Sequence, residues 1–106
     1  MSANPTGPVV VINVFTPKSG QMDGFVKTQT EGLAELRDRI PGWRGTRMYR
    51  ALDDRSAALV TTFASEAEYR AWMASDLFNE HRNKVAPLIE RAGPQLYRLI
   101  HEAGES

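Results

Sequence analysis

The chain has 106 residues, a length that builds one domain around one core. Its thirteen basic and thirteen acidic residues cancel and are interspersed along the chain, which argues against a nucleic-acid binder with its basic stripe. Cysteine is absent, which excludes a disulfide framework, thiolate metal sites and cysteine nucleophiles, and fits a reducing compartment.

Residues 1–7 are small, polar and proline-bearing and read as a flexible leader. They lack the basic region of a signal peptide, and the apolar run that follows is broken by Asn13, so this segment is expected to start the fold. No stretch approaches the roughly 20 apolar residues needed to cross a bilayer, so no membrane contact and a cytoplasmic location are expected. The β-branched run VVVINVF, Val9 to Phe15, reads as a buried strand closed by Pro17 and Gly20. From Met22 to Ile40 the apolar residues Phe25, Val26, Leu33, Leu36 and Ile40 keep helical spacing, and Pro41-Gly42 stops the helix.

Trp43 to Leu52 and Ser56 to Ala64 read as two strands of a hairpin joined by Asp53-Asp54-Arg55. Ser65 and Glu68 then form a capping box, each able to satisfy the other's free backbone N–H, and open a second helical region. Ser75 or Asp76 can cap a new helix, so this region is expected to break there. It is expected to continue to about Arg91, bent at Pro87, and to end at Gly93-Pro94. The segment QLYRLIHE is the expected last strand, followed by a polar tail at 103–106.

This order predicts an α+β fold of ferredoxin-like β-α-β-β-α-β type, with an antiparallel sheet covered by helices on one face, in a single domain over residues 8–102. The strands carry apolar residues at both parities, as in Val10, Ile12 and Val14 against Val9, Val11 and Phe15. A second apolar sheet face needs a cover, and a homodimer packed sheet to sheet supplies it.

Three residues are candidates for chemistry. Asn13 is disfavoured in a strand, and its buried amide requires either a neighbouring backbone group or water, or a ligand. Trp72 and His81 are nine residues apart and would face opposite sides of one straight helix, so they converge only if the helix breaks at Ser75-Asp76. Beyond that break Phe78, His81, Val85 and Leu88 or Ile89 form one apolar stripe, which turns His81 inward. Both rings can equally be plain core packing. A neutral imidazole there can also act as a general base or as an axial ligand to heme iron. Arg82 can meet an acidic group at a pocket mouth or simply lie on a solvated helix face. Zinc motifs, phosphate-binding glycine loops, nucleophile elbows and dinucleotide fingerprints are absent from the sequence.

The segments VVVINVFTPKSGQMDGF, IPGWRGTRMYRALDD and LVTTFASEAEYRAWMASDLFNEHR, in this order, resemble the antibiotic biosynthesis monooxygenase (ABM) family of small dimeric α+β barrel proteins, over nearly all of residues 8–102. One branch of that family contains cofactor-independent oxygenases of polyketide anthrones, whose strand-one asparagine aligns with Asn13. The tryptophan on their third strand falls near Phe63, a departure from that pattern. A second branch degrades heme with an asparagine, a helical tryptophan and a histidine that look like Asn13, Trp72 and His81; SxxFxxH-like segments also occur in members without assigned heme chemistry.

The resemblance implies a monooxygenase that uses dioxygen on an electron-rich aromatic, quinol or anthrone-like molecule without a bound cofactor. Asn13 would orient the oxygenated intermediate, Trp72 pack the ring and His81 relay the proton, with Phe15, Phe63, Phe78 and Val85 lining the substrate pocket. One alternative is heme degradation, with His81 as axial ligand, Asn13 bonding the distal oxygen species and Trp72 pressing on the porphyrin. Another is a non-catalytic dimeric small-molecule-binding protein in which the three residues fill the core.

Overall fold

The β-branched opening run forms β1, Val9–Pro17, whose odd-numbered residues Val9, Val11 and Phe15 are buried while Val14 on the other face stays exposed. This alternation is the period-two signature of a strand covered on one face. The computed structural model describes residues 7–104; the first six residues of the leader expected at 1–7 and the last two of the tail lie outside the described residues. After Gly20, at φ +78°, α1 spans Met22–Leu36, and its side chain Phe25 is fully buried and packs against Phe15 as a tilted ring pair, 4.9 Å between centroids. The expected helix to Ile40 ends earlier: Arg37–Arg39 forms one 3₁₀ turn, and Ile40 is already extended.

Gly42 must be glycine for two reasons. Its φ is +65°, and a Cβ there would lie 2.5 Å from the Glu68 carboxyl carbon. The turn it makes leads into β2, Trp43–Arg50, which pairs with β3, Ala57–Phe63. The connecting loop is held by Ala51 N–H to the Ser56 carbonyl at 2.9 Å, and Arg50 reaches both Asp54 and, at 2.8 Å, Asp23 of α1.

Two short helices follow, α2 at Glu66–Met73 and α3 at Asp76–Val85. Ser65 caps α2 by accepting the Glu68 N–H at 3.2 Å; the Glu68 carboxylate meets the Ser65 hydroxyl at 3.1 Å, where a full capping box would use the backbone N–H. The break between α2 and α3 lies where the sequence placed it. The Ser75 hydroxyl donates to the Trp72 carbonyl at 2.6 Å and accepts the Phe78 N–H at 3.1 Å, so one side chain closes one helix and opens the next.

The last strand departs from expectation. Helix α3 stops at Val85, Ala86–Leu88 is a 3₁₀ turn with Pro87 in its first turn, and β4 runs Ile89–Tyr97, six residues ahead of the predicted start at Gln95. Gly93-Pro94, read as a helix stop, lies inside β4. Proline is tolerated because β4 is an edge strand that, among the described residues, pairs only with β1, so the absent N–H breaks no second ladder. Leu99 and Ile100, expected inside the strand, lie past its end and are exposed.

The sheet order is β2-β3-β1-β4 and every pairing is antiparallel. With the helices packed on one face, this is the α+β ferredoxin-like fold. Among the described residues no helix is long and apolar enough to cross a membrane.

Between sheet and helices the core divides in two. Val9, Val11, Ile40, Phe63 and Trp72 form one cluster, and Phe15, Met22, Phe25, Ala57 and Val85 form the other. The gap between them positions the site.

Candidate active site

Each element that crosses the gap places a polar residue there, between apolar residues that belong to the two clusters. On β1 it is Asn13, between Val11 and Phe15; on α1 it is Gln29, between Phe25 and Leu33; on α3 it is His81, between Phe78 and Val85. On β3 it is Thr61, between Leu59 and Phe63. A polar belt thus crosses an otherwise apolar interior, and it surrounds a cavity of about 380 Å³. That volume lies at the lower end of small-molecule pockets, which run from about 300 Å³.

Each expected site residue lines this cavity: Asn13, Trp72 and His81, and also Phe15, Phe63, Phe78 and Val85. The break at Ser75 brings Trp72 and His81 to one space. The Trp72 indole meets the Phe78 ring edge-on at 5.6 Å, and His81 follows Phe78 by one turn of α3. Arg82 lies exposed at the margin, with its guanidinium 5.6 Å from the Phe78 ring centre and donating to Asn79 at 2.9 Å, so among the described residues it meets no acidic group.

Sequence reasoning missed Gln29. It is 4% exposed, and its Oε1 is 2.8 Å from Nε2 of His81, which is 5% exposed. Glutamine on a helix reads as surface, yet Gln29 falls four residues from both Phe25 and Leu33, inside the apolar stripe, and that position was the available signal.

Burial, and secondarily the nearby Lys84 ammonium, lowers the His81 pKa below its ordinary value, so the ring is neutral at neutral pH. With Nε2–H donating to Gln29, Nδ1 carries a lone pair, and among the described residues that buried atom has no partner. Its surroundings depend on Gly32: a Cβ there would lie 2.6 Å from Nδ1. The Asn13 Oδ1 is likewise buried with no hydrogen-bond partner among the described residues. Leaving a buried polar atom unsatisfied costs about 1–3 kcal/mol, so two such acceptors on one cavity mark a place kept for a ligand.

A model of the antibiotic biosynthesis monooxygenase family matches residues 8–84. The chain belongs to that family. It is therefore an oxidoreductase of the monooxygenase class. No curated protein matches this ABM chain. Among solved structures, SnoaB, a cofactor-independent oxygenase from Streptomyces nogalater, is 21% identical, with 93% of this chain and 99% of that chain covered at a TM-score of 0.82. Rv0793 from Mycobacterium tuberculosis is 20% identical, covering 92% of this chain and 100% of that chain at a TM-score of 0.77. SO0527 from Shewanella oneidensis is 20% identical, covering 87% and 90% at a TM-score of 0.74. At these identities the likeness is one of fold.

The residues of this ABM protein do not fit a heme held by His81. Axial ligation needs an imidazole lone pair aimed at iron. Here Nε2 is engaged by Gln29, and Nδ1, although unpartnered, lies so close to α1 at Gly32 that a porphyrin plane across it would meet the helix. Among the described residues no group of three or more His, Cys, Asp or Glu side chains is placed to hold a metal ion.

Proposed function

We propose that this ABM protein is a cofactor-independent monooxygenase that oxidises a planar, electron-rich aromatic of quinol or anthrone type with dioxygen. The observation that supports this reading is the largely apolar cavity lined by Asn13 and His81, whose Oδ1 and Nδ1 are buried acceptors without partners among the described residues. A similar fold in SnoaB, itself a cofactor-independent oxygenase, agrees with it.

The substrate supplies the electrons. A CH₂ beside an aryl ketone loses a proton to the neutral His81, which Gln29 holds in place, and the resulting anion is delocalised over the rings. Its electron pair reduces dioxygen as a carbon–oxygen bond forms. The oxygen–oxygen bond of the hydroperoxide then breaks as the second C–H proton leaves, giving a second ketone and water. One oxygen atom ends in the product and one in water. Asn13 bonds the oxygenated carbon's substituent, and Trp72 with Phe78 holds the ring plane.

The uncovered sheet face supports a homodimer. It presents Val10, Ile12, Val14, Val60, Tyr49 and Tyr97, of which Val14, Tyr49 and Tyr97 are exposed in the single chain. A second copy packed on this face leaves the cavity on the helix side untouched.

The test is oxygen uptake by chelator-treated protein given anthrone under ¹⁸O₂. One labelled oxygen in the anthraquinone, at a rate above buffer that falls in Asn13→Leu and His81→Phe, supports the reading. A rate equal to buffer, or one indifferent to both substitutions, overturns it.

A further inference from the structure

A strand irregularity on the far side of the cavity builds a second polar pole. In a regular strand, residues three apart point to opposite faces. Trp43 and Thr46 are three apart on β2, yet both line the cavity. The cause is the ladder with β3: Trp43 opposes Phe63, Gly45 opposes Thr62 and Thr46 opposes Thr61, so an extra residue, Arg44, is inserted and the pleat is reset. Such bulges re-aim side chains beside functional sites. Here the bulge brings the Trp43 indole N–H to Thr46 Oγ1 at 2.8 Å, and Thr46 Oγ1 lies 3.2 Å from Thr61 Oγ1.

Counting hydrogens gives the polarity of this group. The indole can only donate, so it occupies a lone pair of Thr46. The two hydroxyls hold two protons, and their mutual bond uses one of them. Among the described residues neither hydroxyl has a further hydrogen-bond partner, so one O–H remains whichever threonine donates to the other. The group therefore has a donor to spare at the cavity, whereas Asn13 and His81, which line the same cavity, carry unpartnered acceptors.

We infer that Thr46 and Thr61, fed by the Trp43 indole, form the subsite that recognises a ketone or quinone oxygen of the ligand. The inference rests on the aromatic-ligand reading above and adds its polarity. The carbonyl points toward β2 and β3, and the reacting carbon lies toward Asn13 and His81. Thr46 and Thr61 act in specificity, since neither moves a proton in the reaction.

Fluorenone and fluorene test this, because they are planar tricyclic molecules that differ in one carbonyl oxygen. Dissociation constants for both, measured by calorimetry on the full chain, are expected to favour fluorenone in the wild type. Thr61→Val and Thr46→Val should weaken fluorenone by about two- to tenfold, the effect of losing one neutral hydrogen bond, while fluorene binds unchanged. Thr61→Ser keeps the hydroxyl and should keep the preference, which a purely packing role for Thr61 would not predict. Trp43→Phe, which leaves the pair without its fed-in donor, should reduce the preference by a smaller factor. Fluorene reports folding of each variant independently. Equal wild-type affinity for the two molecules, or equal weakening of both in Thr61→Val with no rescue by serine, overturns the subsite and leaves the aromatic pocket standing. Failure of both to bind the wild type overturns the subsite together with the pocket reading.

Discussion

Gly32→Ala is a substitution whose sign separates this account from helix propensity alone. An alanine in place of glycine within a helix ordinarily stabilises by about 0.5–1 kcal/mol. At Gly32 the new methyl would lie 2.6 Å from Nδ1 and 2.7 Å from Cε1 of His81. The imidazole must move, and its 2.8 Å bond to Gln29 is the contact that breaks. Overpacking and an orphaned buried amide each cost about 1–3 kcal/mol, so the gain is reversed into a net loss of about 1–5 kcal/mol. Gly24, on the same helix, is the control: a methyl added there would meet the Gln21 side chain at 3.6 Å, an ordinary contact. Urea denaturation of the two variants should therefore move the midpoint in opposite directions, Gly24→Ala up and Gly32→Ala down. At about 4–8 °C per kcal/mol, the same split is readable as Tm. Gly32→Ala should also lower oxygen uptake, because the displaced ring is the proposed base. If both variants gain stability alike, the packing of His81 on α1 is wrong.

Further expectations follow from the same geometry. Asn13→Leu removes an unpartnered buried carbonyl, so stability should hold or rise by up to about 1 kcal/mol in denaturation while oxygen uptake is lost. Ser75→Ala removes the side chain that joins α2 to α3 and should cost about 1 kcal/mol, with uptake reduced because Trp72 and Phe78 lose their common anchor. The His81 pKa is lower in the folded chain than in the unfolded one, so the unfolded state takes up the proton first as pH falls. Stability from this group is complete above about pH 6.5 and declines through the depressed folded value, and kcat, which needs the neutral ring, should fall over the same acid range. Hemin titration should give no Soret shift that depends on His81, since Nε2 is bonded to Gln29 and α1 at Gly32 stands where a porphyrin on Nδ1 would lie. Val14→Asp places a charge on a residue already 45% exposed in the single chain, so the fold should tolerate it, while sedimentation should show that it breaks the proposed dimer.

Much of this was legible in the residues because local chemistry decides it. The β-branched run at Val9 and the serine caps at Ser65 and Ser75 act within a few neighbours, and both the opening strand and the helix break appear where those residues stand. The inward turn of His81 followed from the break. What the sequence hid depends on contacts far apart in the chain. Gly93-Pro94 reads as a terminator, and only the edge position of β4 makes a proline there harmless. Gln29 and His81 are 52 residues apart, so their bond has no local signature. The resetting of β2 at Arg44 is visible only in its register against β3, although Gly45 offered a hint of irregular pairing.

The central claim is that the polar belt between the two halves of the core is where the substrate sits. A crystal structure with anthraquinone bound tests it most directly. Planar density is expected between sheet and helices, in contact with Trp72 and Phe78 and within hydrogen-bonding distance of the belt. Density on the outer sheet face, or a ligand that leaves this cavity empty, would contradict it.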